Sequence, residues 1–85
     1  MKLEKFFVYI LQSKKDLSFY IGQTNEITTR LENHNEGGSK YTSSKIPWDL
    51  VYFEGYDTRT ESVRREKEIK GKKSRKYIEF LISNK

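Results

Sequence analysis

Two blocks of β-branched and aromatic residues open the chain, Phe6-Phe7-Val8-Tyr9-Ile10-Leu11 and Phe19-Tyr20-Ile21-Gly22-Gln23-Thr24, with polar Ser13-Lys14-Lys15-Asp16 between them. This pattern predicts two strands joined as a hairpin. The first block is bulky and apolar at successive positions, so the sheet is expected to be covered on both faces. Asn25 is placed to cap a short helix in which Ile27, Leu31 and His34 follow at helical spacing, before Gly37-Gly38 stops it. A loop carrying the single proline, Pro47, leads through Trp48 to a third strand, Leu50–Glu54, ending near Gly55. Thr58 and Glu61 have capping-box spacing and open a helix that runs to about Lys70 and stops at Gly71. Ser74 can cap a last helix containing Tyr77, Ile78, Phe80, Leu81 and Ile82. The expected order is strand, strand, helix, strand, helix, helix, in one domain over residues 1–85 with no internal repeat.

Against this pattern, three polar residues fall on inward faces. The long helix supplies only Val63 and Ile69 as apolar anchors, and Glu66 lies three residues from each, so its carboxylate should point at the sheet or its margin. A carboxylate there needs a cation, hydrogen bonds or a metal. The simplest partner is one of the many neighbouring basic side chains. In the first helix Arg30 follows Ile27 by three and His34 follows Leu31 by three, and the two are four apart, hence neighbours. A snorkelling arginine and a hydrogen-bonded core histidine account for each alone. Tyr9 and Tyr20 lie on paired strands, where most tyrosines are core residues whose hydroxyls need a partner. Gly22 inside a strand commonly marks the close approach of another backbone or a ligand.

Composition narrows the chemistry. The 85 residues are 34% hydrophobic and 14% aromatic, so a small core must lean on Phe and Tyr. The absence of cysteine excludes disulfides, thiolate zinc sites and thiol catalysis, and a single histidine excludes multi-histidine metal sites. No apolar run approaches the ~20 residues of a membrane span. Met1-Lys2-Leu3-Glu4-Lys5 lacks a signal-peptide pattern, so a cytoplasmic protein is expected. The net charge of +5 suggests an anionic partner, and nine of the 17 basic residues fall between Arg59 and Lys76. That stretch suits a phosphate-binding surface, through Arg64, Arg65, Lys70, Lys72 and Lys73, as well as it suits a solvated face laced with ion pairs.

In order along the chain, Phe7-Val8-Tyr9, Tyr20-Ile21-Gly22, Arg30, His34-Asn35, Lys40-Tyr41-Thr42, Pro47-Trp48 and Arg65-Glu66 ahead of Ile69-Lys70 resemble the GIY-YIG nuclease superfamily. The likeness is greatest to its small single-domain bacterial members, similar to the N-terminal nuclease domain of the bacterial excinuclease, a DNA-repair setting. It covers nearly the whole chain. The resemblance implies an α+β fold, a three-stranded antiparallel sheet flanked by helices, with a site that cleaves phosphodiesters using one divalent metal. Carried onto this chain, Glu66 would hold Mg²⁺ or Mn²⁺ and Arg30 would contact the scissile phosphate. Tyr9 and Tyr20 would position or deprotonate the attacking water, with Tyr9 the first candidate for the base and Tyr20 its competitor. His34 would orient a tyrosine or contact the phosphate. A hard cation wants carboxylate oxygen, and with an arginine it offsets charge developing on phosphate oxygens. The sequence departs from the family pattern in three places: Phe7 replaces the first glycine, Gln23 stands where excinuclease-like domains carry lysine, and no asparagine follows the glutamate by about a dozen residues. Lys40 or Lys45 could supply the cation missing at Gln23, and Gly22 could let a strand of nucleic acid come close.

The expected function is therefore a metal-dependent endonuclease acting on DNA more than RNA, selective for branched, flapped or single-stranded structure in the absence of a separate target-reading domain, with a protein partner as another source of specificity. The alternatives are a non-catalytic nucleic-acid-binding module on the same scaffold, and a protein-interaction domain anchored by exposed Tyr and Trp.

Overall fold

The computed structural model describes residues 5–84; residues 1–4, expected to lead straight into the first strand, and residue 85 lie outside it. Three strands, β1 (Phe6–Ser13), β2 (Phe19–Thr24) and β3 (Trp48–Tyr56), pair antiparallel in the order β2-β1-β3. The helices are α1 (Ile27–Asn35), α2 (Lys40–Ser43), α3 (Arg59–Lys72) and α4 (Arg75–Ser83). The expected α+β class and order are present with one addition, since α2 is a single turn inside the segment expected to be a loop. Among the described residues no helix is long and apolar enough to cross a membrane.

As the central strand, β1 sends successive side chains to opposite faces, and Val8, Tyr9, Ile10 and Leu11 are all buried. Val8 and Ile10 pack with Ile69 of α3 and with Ile78 and Leu81 of α4. Tyr9 and Leu11 pack with Trp48 beneath Tyr20, Leu31, Ile46 and Leu50. The sheet is thus covered on both sides, as its sequence predicts. Between Ile10 and Leu11 the register with β3 slips: Ile10 faces Tyr52 and Leu11 faces Leu50, leaving Val51 as the extra residue of a bulge. Val51 and Tyr52 consequently pack in the Ile69 layer, whereas Leu50 and Trp48 turn to the Tyr9 layer.

Several boundaries move from their expected places. The N-cap of α1 is Glu26, without a side-chain cap bond, instead of Asn25. Thr24 Oγ1 accepts the Glu26 N–H at 3.1 Å and so sets the turn one residue later. Strand β3 continues through Gly55, whose missing side chain leaves room for the Phe7 ring; a Cβ there would meet the ring at 3.3 Å. The capping box of Thr58 and Glu61 forms as predicted. The same helix passes through Gly71 and ends at Lys73, which takes the left-handed conformation (φ 48°) that Gly71 was expected to supply.

A polar network fastens α3 to β3 on the Ile69 side. The Glu54 carboxylate accepts from Arg65 Nε at 2.9 Å, Arg65 Nη2 at 3.1 Å, the Tyr56 hydroxyl at 2.6 Å and the Tyr52 hydroxyl. Arg65 Nη1 also donates to Glu68 at 2.8 Å and to the Tyr77 hydroxyl at 3.1 Å. This corrects the place of Arg65 among the expected nucleic-acid contacts, because its guanidinium is consumed inside the fold and its side chain is only 18% exposed.

Candidate active site

Tyr9 is the hub of the second layer. It faces Gly22 across the β1–β2 pair, and its ring lies over that glycine so closely that a Cβ at Gly22 would stand 2.5 Å from the Tyr9 oxygen. Gly22 is itself buried. The close approach signalled by this glycine is therefore made by the Tyr9 ring, which corrects its expected role as a nucleic-acid contact. The Tyr9 oxygen is 3.1 Å from His34 Nε2, and His34 Nδ1 is 3.0 Å from Thr42 Oγ1. His34 is thus a buried, hydrogen-bonded histidine held between two hydroxyls. Tyr20 stands diagonally across the hairpin, its ring 6.3 Å from that of Tyr9 and 4.8 Å from the imidazole.

Arg30 is exposed on α1, one turn before His34. Its charge reaches both buried groups. Burial first, and then Arg30, hold His34 below its usual 6.5, so the ring is neutral at pH 7. For Tyr9, burial is the largest influence and pushes the hydroxyl well above its usual 10; Tyr20 and Glu66 add to the rise, and Arg30 opposes it. Tyr20, Arg30, His34 and Glu66 therefore all act on one hydroxyl, two as neighbouring rings and two through charge alone.

Glu66 arrives from α3 by a route that apolar periodicity only half reveals. Ser62, not Val63, is the fully buried anchor of the first half of α3. Its hydroxyl donates to the Arg59 carbonyl at 2.8 Å and lies 3.4 Å from Gln23 Oε1, so a small polar side chain lets the helix come against β2. Glu66, between Ser62 and Ile69 on this stripe, has a side chain 19% exposed and accepts from Lys70 Nζ at 2.6 Å. The inward carboxylate and the ion pair with a neighbouring base are both present. The pair also places Lys70, expected to contact nucleic acid, on a carboxylate. Among the described residues no three His, Cys, Asp or Glu side chains gather as a metal cage. A single hard carboxylate suits Mg²⁺ or Mn²⁺, which take one or two carboxylates and complete their shell with water and substrate phosphate.

The model of the family described as the GIY-YIG catalytic domain matches residues 5–78. The chain belongs to the GIY-YIG family. Its relatives include a UPF0213 protein of Streptococcus pneumoniae, 38% identical over 81 residues, covering 94% of this chain and 81% of that one. A UPF0213 protein of Staphylococcus aureus is 39% identical over 80 residues, covering 93% and 96%. The solution structure of a UPF0213 protein from Bacillus halodurans superposes with a TM-score of 0.61 at 38% identity, over 95% of this chain and 85% of that one. GIY-YIG membership places the chain in a nuclease-type family and gives the grouping around Tyr9 its context.

Of the cations expected to meet nucleic acid, Arg64, Lys72 and Lys73 are exposed along α3 and its end, and Lys40 is exposed at the start of α2. Lys45 is tied to Asp16 at 2.9 Å and lies 5.7 Å from the ring centre of exposed Tyr41, which stands 6.1 Å from Tyr20. Gln23, where a lysine was missed, is engaged by Arg59 at 3.1 Å. Trp48, counted with the exposed aromatic anchors of a protein-interaction surface, is instead buried, and its Nε1 donates to the Thr42 carbonyl at 3.0 Å. Thr42 is the member of this site to which the sequence assigned no role.

Gly22→Ala provides a direct check of the GIY-YIG packing. The new methyl would overlap a ring that is 2% exposed and hydrogen-bonded to His34, so Tyr9 must swing away. Overpacking of this kind costs about 1–3 kcal/mol. The expected result is a fall in melting temperature together with a moved Tyr9 ring resonance; an alanine variant with unchanged Tyr9 and His34 spectra would contradict the contact.

Proposed function

We propose that the chain is an endonuclease that hydrolyses phosphodiester bonds in DNA with the help of Mg²⁺ or Mn²⁺. The observation that carries this reading is the buried Tyr9 hydroxyl bonded to His34, with the Tyr20 ring against the imidazole, inside a GIY-YIG family match; Arg30 and Glu66 act on that hydroxyl through charge. Tyr9, hydrogen-bonded to His34, is the group that orients the attacking water and takes its proton as the new P–O bond forms and the old one breaks. Arg30, exposed on α1 one turn before His34, pairs with the scissile phosphate and offsets the charge that builds there. Tyr20 packs against the imidazole and limits where the water can stand. Glu66 would hold the divalent ion, which when bound would stabilise charge on the phosphate oxygens. Exposed Arg64, Lys72, Lys73 and Lys40 supply salt-dependent contacts that do not read sequence, so selection among DNAs falls to substrate shape or to a partner protein.

A panel of end-labelled duplex, flapped, branched and single-stranded DNAs, with Mg²⁺, Mn²⁺ or chelator, tests this reading. Cleavage is expected only with the metal, and Glu66→Ala should remove it. Cleavage that persists in Glu66→Ala would overturn the assignment. The second reading, a nucleic-acid-binding module without turnover, draws on the Lys70 contact to Glu66 and on Gln23 being held by Arg59. It is favoured by salt-sensitive binding with no cleavage under any metal.

A further inference from the structure

Thr42 is fully buried in the one-turn helix α2, and its position is fixed from both sides of its backbone. Its carbonyl accepts from Trp48 Nε1 at 3.0 Å and from the Lys45 N–H at 3.1 Å. Its hydroxyl lies 3.3 Å from the Ser39 carbonyl and 3.0 Å from His34 Nδ1. With both hydroxyl hydrogen bonds formed, these contacts allow one polarity only. A carbonyl cannot donate, so the single hydroxyl proton of Thr42 goes to Ser39, whose oxygen has a second lone pair for the Ser43 N–H at 2.9 Å. Towards His34 the Thr42 oxygen can then only accept, which puts the imidazole proton on Nδ1. The remaining nitrogen, Nε2, is a bare lone pair 3.1 Å from the Tyr9 oxygen, so Tyr9 is the donor in that bond.

We propose that Thr42 is a positioning residue that locks His34 as its Nδ1–H tautomer and thereby aims the Tyr9 proton at Nε2. The chain of bonds runs Tyr9 O–H to His34 Nε2, His34 Nδ1–H to Thr42 Oγ1, and Thr42 O–H to the Ser39 carbonyl. Its catalytic meaning rests on the nuclease reading. In that reaction the water proton passes to the Tyr9 oxygen as the Tyr9 proton passes to Nε2, leaving an imidazolium that returns its proton to solvent. With the opposite tautomer an N–H would face Tyr9, the phenol proton would have no acceptor, and the pair could not take up a proton from water. α2, which holds no apolar stripe of its own, is thereby explained as the mount for one hydroxyl.

His34 is the single histidine of the chain, so one imidazole spin system reports the state of the ring. Long-range proton–nitrogen correlation and the Cδ2 shift at pH 7.5 should show Nδ1 protonated and Nε2 bare in the parent protein. Thr42→Ser should keep this pattern, and Thr42→Val, isosteric but without a hydroxyl, should lose it. In the cleavage assay Thr42→Val should lower kcat by about tenfold or more with KM unchanged, the size of one oriented hydrogen bond, and Thr42→Ser should recover most of it. A parent spectrum with the proton on Nε2, or a Thr42→Val spectrum that keeps it on Nδ1, overturns the proposal; should Thr42→Val not fold, the parent and Thr42→Ser spectra still decide. The expected spectra combined with no cleavage by any protein would support the hydrogen-bond chain and overturn the nuclease reading instead.

Discussion

Tyr9→Phe is expected to fold as the parent does and to cleave DNA about 10²–10⁴-fold more slowly, the usual worth of a positioned general base. The substitution deletes one oxygen and keeps the ring that fills the space over Gly22. Its structural cost is confined to His34, which loses the partner of Nε2 and stands to cost about 1–3 kcal/mol as a buried group left unsatisfied. Circular dichroism and a thermal melt separate that cost from the loss of chemistry. Tyr20→Phe is the informative companion, because Tyr20 touches the imidazole by its ring and the structure places its hydroxyl in no bond to His34. A large loss of rate in Tyr20→Phe with a small one in Tyr9→Phe would transfer the role of base to Tyr20.

Removing Arg65 should unfold the protein far more readily than removing any other basic residue of α3. Arg65→Ala leaves the Glu54 carboxylate, 18% exposed, with two phenols and no cation. Breaking a buried pair from one side costs about 3–5 kcal/mol, a large share of the roughly 5–15 kcal/mol that holds a domain of this size. A melting temperature lower by more than roughly 10 °C is expected. Arg64→Ala, one residue away and exposed, should barely move it. The pair also contributes to the acid dependence of stability. Burial by itself would raise the Glu54 carboxyl, but hydrogen bonds from Arg65, Tyr52 and Tyr56 outweigh it and leave the group below its usual 4.5. A carboxylate whose folded value is depressed contributes stability fully above about 4.5, and that contribution disappears as pH falls through the folded value. Arg65→Ala should therefore flatten the loss of stability below pH 4.5 as well as lower the plateau; a melt unchanged within about 2 °C would contradict the network.

What could be read in the sequence follows from which signals are local. The unbroken run of bulky residues at Val8–Leu11 and the capping box at Thr58 and Glu61 depend on near neighbours, and both elements begin where expected. Helical spacing also exposed Glu66 and His34 as polar residues facing inward, with no knowledge of the fold. The failures are those of partners distant in sequence. Ser62 is a helix anchor because Gln23 of another strand meets it, and nothing apolar announces it. Arg65 looked like its basic neighbours because only the folded chain brings Glu54 against it. Thr42 gains its meaning from a histidine eight residues earlier and a tryptophan six residues later, which α2 is too short to advertise.

The slipped pairing at Val51 gives β3 a change of frame partway along its length. Tyr52, Glu54 and Tyr56 are addressed to the layer that holds the protein together, and Trp48 and Leu50 to the layer where the chemistry is proposed. Strict alternation would send Trp48 and Leu50 to the same side as Tyr52 and take the indole away from the carbonyl of Thr42. Deleting Val51 would therefore keep Leu50 opposite Leu11 and Tyr52 opposite Ile10, in plain alternation, whereas deleting one residue between Trp48 and Leu50 would turn the start of the strand over and present the wrong side chain to the site. One extra residue lets a single edge strand serve two masters, because it allows residues 48, 50 and 52, which share one parity in the sequence, to face opposite layers.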